Sequence, residues 1–130
     1  MLLPALVSQC HPYWFKTGFR LKSEEYIKCL PEVKNFIDSI VTKHEAKDWV
    51  FAQDGAPAHT ADLTQKYLTD NWGNQHFWPK SFWPPSSPDC NPLDYSIWAQ
   101  IQATACKNRH MSIDDLKRDV DKAWEELNED

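Results

Sequence analysis

Between Tyr26 and Val41 the apolar residues Tyr26, Ile27, Leu30, Val33, Phe36, Ile37, Ile40 and Val41 recur every three or four positions. That is the period of one face of an α-helix. Ser23 precedes the pattern as the N-cap residue, with Glu24 and Glu25 placed to complement the dipole in the first turn. Pro31 falls inside the stripe and is expected to kink or split the helix, because it lacks an amide proton and crowds the preceding turn. The pattern then changes. Trp49-Val50-Phe51-Ala52 is a short apolar run ending in Gln53-Asp54-Gly55, which predicts a buried strand with Asp54 at its C-terminal end.

Beyond the turn at Gly55 and Pro57, a helix is predicted from about Ala61 to Asn71, with Leu63, Tyr67 and Leu68 inward and Gly73-Asn74 as its stop. His76-Phe77-Trp78 is a short strand candidate before Pro79. The stretch from Trp83 to Pro88 holds three prolines and two serines and predicts a stiff loop that aims the next helix. Asn91 is that helix's N-cap and Pro92 its first residue, with Asp94 in the first turn. The helix runs on to Cys106, with Ile97, Trp98, Ile101 and Ala105 buried. A last helix, about 112–128, starts at Ser112 with Asp115 as capping-box partner, and carries Ile113, Leu116, Val120, Trp124 and Leu127 as its stripe. Residues 1–22 are the least legible; from His11 to Leu21 a hairpin strand turning at Gly18 is the expectation. Helices alternating with short strands imply an α/β fold.

Composition adds limits. At 130 residues with seven Trp, six Phe and four Tyr, the chain has the volume for one globular domain. Nothing approaches eighteen consecutive apolar residues, so no membrane partner is expected, and the opening Met1–Val7 lacks the basic start of a secretory leader. Cys10, Cys29, Cys90 and Cys106 show no paired spacing, which predicts reduced, small core residues of an intracellular protein. The net charge of −5 is local: from Met111 onward eight acids face three bases, while residues 1–110 carry 11 of each. A neutral body is not the basic footprint of an independent DNA binder.

The candidate chemistry sits in two carboxylate-bearing segments. Asp54 at a strand end and Asp94 on a following helix are the arrangement by which proteins hold divalent ions over a phosphodiester. Each residue also has a plainer reading. An aspartate before glycine commonly bonds its own turn, and one in a first helical turn commonly complements the dipole. Asp89 rivals Asp94 for the second carboxylate or braces the loop, and His59 either reaches a metal or substrate or is a hydrogen-bonded structural histidine.

Asp54-Gly55-Ala56-Pro57-Ala58-His59-Thr60 resembles the block around the second catalytic aspartate of Tc/mariner transposases, and Ser87-Pro88-Asp89-Cys90-Asn91-Pro92-Leu93-Asp94 resembles the block ending in their third carboxylate. The resemblance spans roughly residues 12–127 and implies the back part of a DDE/D catalytic domain: a partial ribonuclease-H-like fold, a mixed sheet flanked by helices, with the opening strand or strands and the first aspartate missing. Thirty-nine residues lie between Asp54 and Asp94, a longer gap than most of that superfamily uses. The resemblance implies metal-dependent cleavage and strand transfer of DNA at transposon ends in the nucleus. Its catalytic and metal-binding residues would be Asp54 and Asp94, with His59, Asp89 and Asn91 as secondary candidates, and its ions a Mg²⁺ or Mn²⁺ pair. A homodimer is a further expectation. Alone, this chain is expected to be inactive; the alternative is a non-catalytic remnant acting as an interaction module through its acidic last helix.

Overall fold

The computed structural model describes residues 12–43, 49–82, 84, 91 and 93–127, the side chains of Lys43, Leu93 and Asp94 excepted. The chain divides into two compact units, Phe15–Ser87 and a second made of Met1–Trp14 with Pro88–Asp130.

In the first unit, α1 spans Ser23–Lys43, α2 is the single turn Pro57–Thr60, and α3 spans Asp62–Trp72. The Tyr26 amide donates to the Lys22 carbonyl at 3.0 Å, so Lys22 and not Ser23 holds the cap position. Helix α1 is also unbroken at Pro31. The ring is exposed, while Leu30 on one side and Val33 and Ile37 on the other are held by the same core. Packing of both halves outweighs a proline penalty of about 3 kcal/mol. On α3 the buried residues are Thr64, Leu68 and Trp72, a strict four-residue spacing, whereas Leu63 is exposed.

The two strand candidates meet, but only in part. Phe51 pairs with Phe77 in a single parallel bridge: the Phe51 amide donates to the His76 carbonyl at 2.9 Å, and the Trp78 amide to the Phe51 carbonyl at 3.1 Å. No longer ladder forms among the described residues, so the expected sheet is reduced here to one rung. Side chains finish the contact: Trp49 stacks on His76 at 4.3 Å, and Trp72 meets Phe51 edge-on at 5.0 Å. Leu30, Leu68, Trp72 and Phe77 form the core, with Tyr26, Ile27, Trp49, Phe51 and Tyr67 around it. α3 ends at Gly73, whose φ of +81° is a backbone region closed to most side chains. At the start of the unit, residues 16–19 form a turn, with φ of +79° at Gly18 and the Phe19 amide on the Lys16 carbonyl; the expected strand is not formed among described residues.

The second unit contains a π-helical turn, Leu93–Ile97, which runs directly into α4, Trp98–Ala105, and then α5, Ile113–Glu126. The Asn91 carbonyl accepts from the Tyr95 amide at 3.2 Å, placing Asn91 at the cap position as the sequence predicts. Ser112 caps α5, its Oγ accepting from the Asp115 amide at 3.1 Å. Ile97, Ile101, Ala105, Ala123 and Trp124 make the core. Trp98, Ile113 and Leu116 are exposed, contrary to the predicted stripes, and Ala123 lies inside in their stead. Among the described residues two helices cover only a narrow seam, and the outer edges of each stripe are exposed. Cys29 is half-buried and Cys106 exposed, so Cys106 is not the core residue expected. Trp14 returns to this unit: its Nε1 donates to Asp121 at 2.9 Å, with the Lys117 ammonium 5.6 Å from its ring centre.

Candidate functional site

Asp54 lies three residues beyond the Phe51–Phe77 bridge, where the backbone leaves the pairing and turns into α2. The turn itself captures the carboxylate. The Ala56 amide donates to Asp54 Oδ1 at 2.9 Å, the local bond that Asp-Gly sequences favour. His59, on α2, brings Nδ1 to the same oxygen at 2.6 Å. A carboxylate only accepts, so the proton of this bond is on His59 Nδ1. Both bonds share Oδ1, and the side chain of Asp54 remains 48% exposed. The turn reading of Asp54 holds: one oxygen is tied to the protein, while the side chain remains half exposed.

Further residues secure His59. The Tyr26 ring of α1 lies against the imidazole at 4.4 Å, and its hydroxyl donates to Gln53 Oε1 at 2.6 Å. Burial, then the Asp54 charge, then Cys29 push the Tyr26 phenol far above its ordinary value. It stays a neutral donor. Gln65 Nε2 donates to the His59 carbonyl at 2.9 Å, and buried Thr64 donates to the Ala58 carbonyl at 2.7 Å. Tyr26, Gln53 and Gln65 are the supports that sequence reasoning missed. Adjacency to Asp54 pointed at Gln53; nothing local pointed at Tyr26, 28 positions upstream.

Asp94 lies on the π-helical turn, where only its backbone is described, and in the other compact unit. Asn91 caps that turn through its carbonyl. Asp89, with most of the predicted 83–88 loop, lies outside the described residues. Among the described residues no group of three or more His, Cys, Asp or Glu is gathered to hold a metal ion. Asp54 offers one half-exposed carboxylate, and one carboxylate replaces little of a hard cation's water shell. No helix among the described residues is long and apolar enough to cross a membrane.

Comparison with known proteins places these features. No curated protein matches the sequence. The fold is similar to that of the Mos1 transposase catalytic domain in two structures, described as containing raltegravir with Mn in one and with Mg in the other. For the first, the TM-score is 0.59 at 20% identity, covering 85% of this chain and 64% of that one; the second differs only in covering 63% of its chain. The chain thus spans just under two thirds of the structures it matches, and it shares their ribonuclease-H-like fold. A model of the DDE superfamily endonucleases matches residues 19–117, which include Asp54, His59, Asp89, Asn91 and Asp94. The chain belongs to the DDE endonuclease superfamily.

Proposed function

We propose that the chain is part of a Tc/mariner-type transposase catalytic domain, in which Asp54 and Asp94 are two carboxylates of a divalent-metal centre acting on DNA ends. The observation that carries the reading is the frame of Asp54: a half-exposed carboxylate at the end of a paired segment, with one oxygen fixed by two hydrogen bonds. In such a centre Mg²⁺ or Mn²⁺ neutralises charge on the attacking and leaving oxygens of a phosphodiester. Asp54 would hold cation on its exposed side, and Asp94 would deliver a second carboxylate from the helical turn. DNA is the substrate, and the nucleus is where the parent protein would meet it.

Residues 1–130 bring two carboxylates in family positions, so ion affinity is expected to be millimolar or weaker, since few fixed oxygens replace the hydration shell. The near-neutral charge of residues 1–110 adds little attraction to phosphate. The purified chain is therefore expected not to nick DNA. Calorimetric titration with Mn²⁺ tests the site: binding should be weak and should disappear in the Asp54→Asn, Asp94→Asn double variant. Tight binding that survives both changes would place the metal elsewhere. Nicking of plasmid by the unaltered chain, absent in Asp54→Asn, would reveal a third carboxylate and refute inactivity.

A further inference from the structure

We infer that His59 is the positioning residue of Asp54: its Nδ1–H, with the Ala56 amide, locks Oδ1 so that Oδ2 is the oxygen presented to a cation. The inference rests on the metal-site reading of Asp54 but assigns something beyond it. His59 is given a role that is not ligation, and the carboxylate a one-oxygen mode of binding.

Three observations converge. The first is the sharing of Oδ1. Donors at 2.6 and 2.9 Å on a single oxygen fix the carboxylate's rotation, because turning it would break both bonds at once. The second is the clamp on the imidazole. The Tyr26 ring lies against it, the Tyr26 hydroxyl is anchored on Gln53, and the His59 carbonyl is held by Gln65. This seat holds the imidazole so that its Nδ1–H stays aimed at Oδ1. The third is the hydrogen-bond inventory of the ring. With Nδ1 carrying the proton on Asp54, the imidazole is committed through the ring nitrogen nearest the backbone. An outer partner that fixes a metal-binding group in this way commonly changes affinity by about 10–100-fold when removed.

Asparagine supplies the discriminating variant. Its Nδ2 stands the same number of bonds from the backbone as histidine Nδ1, so His59→Asn keeps a donor on Oδ1 while removing the ring nitrogen that could ligate a metal. Mn²⁺ binding would be followed on the full chain by paramagnetic broadening of the Gly55 and Ala56 amide signals, a readout suited to weak sites. The initial slope against Mn²⁺ should fall about tenfold in His59→Ala and stay within about twofold of the parent in His59→Asn. In the parent, a downfield imidazole Nδ1 proton should be visible, lost in both variants, while the remaining amide spectrum shows that each is folded. If His59→Ala binds as the parent does, His59 does not position Asp54. If His59→Asn loses as much as His59→Ala, the imidazole itself is required and the positioning role is wrong. Asp54→Asn separates the two levels. Unchanged broadening in that variant overturns the metal reading of Asp54 itself, whereas loss there with no loss in His59→Ala overturns only the role given to His59.

Discussion

Trp72 and Trp124 are each almost wholly buried, at 5% and 6% exposure, yet the cores they close are assembled differently. Trp124 lies among Ile97, Ile101, Ala105 and Ala123, residues of one helical hairpin, with Trp98 against its ring at 5.6 Å. Trp72 is met by Trp49 and Phe51 across 21 positions or more, in a core that also draws on Leu30 of α1 and Phe77 beyond the turn. The hairpin is a local structure; the Asp54 unit closes only when three separate segments arrive together. The lesson concerns the candidate site. Asp54 follows directly from the bridged segment, so its geometry inherits the stability of the less local core.

Trp72→Ala should have the largest effect, about 3–5 kcal/mol by urea denaturation, since it removes a buried ring and leaves a cavity. Hydrogen exchange should rise at Phe51, His59 and Leu68 more than at Ile101 and Trp124. An equal rise in both sets would erase the contrast. Pro31→Ala works in the other direction. Restoring an amide donor inside α1 should raise stability by about 2 kcal/mol, the helical gain being partly offset by a freer unfolded chain. A melting temperature that falls would mean that the proline is accommodated without cost.

Ser112→Ala addresses the hairpin. Losing the bond to the Asp115 amide should cost about 1 kcal/mol, and circular dichroism should place the loss with helix. The effects of pH separate the two units by sign. Tyr26 has a folded-state value raised above its ordinary 10.0, first by burial and then by Asp54. Its contribution is complete below pH 10 and is lost as pH rises beyond it. Asp115 is held below its ordinary 3.8, first by the Ser112 hydrogen bond and then by Arg118. Its contribution is present above that value and is lost as pH falls through the lower folded one. Melting curves should thus show an alkaline loss that Tyr26→Phe blunts and a slight acid loss that Asp115→Asn blunts. The reverse assignment would contradict the geometry of both.

Much of the hairpin was legible because its information is local. Ser112 announces a cap by its own chemistry, and Ile97, Ile101 and Ala105 follow a helical period that any partner helix would bury. The period alone does not say how wide the buried stripe is, and Trp98, Ile113 and Leu116 lie outside the seam that two helices make among the described residues. The break at Pro31 failed for a related reason. A local penalty of about 3 kcal/mol decides an isolated helix, not one gripped on either side of the proline by a shared core.

In the candidate site the division is sharper. The sequence by itself determined that Asp54 closes a short apolar run, that Gly55 and Pro57 turn the chain, and that His59 follows within one helical turn. The bond from Ala56 to Asp54 is of the same local kind. Only the tertiary structure decided that Tyr26 seats the imidazole, that Gln53 anchors Tyr26, and that Phe51 finds Phe77. Local bonds are selected by residues a few positions apart, whose chemistry can be read in a line. The long-range contacts are chosen by which segments together bury Leu30, Leu68 and Trp72, and that choice belongs to the whole core rather than to any one stretch of the chain.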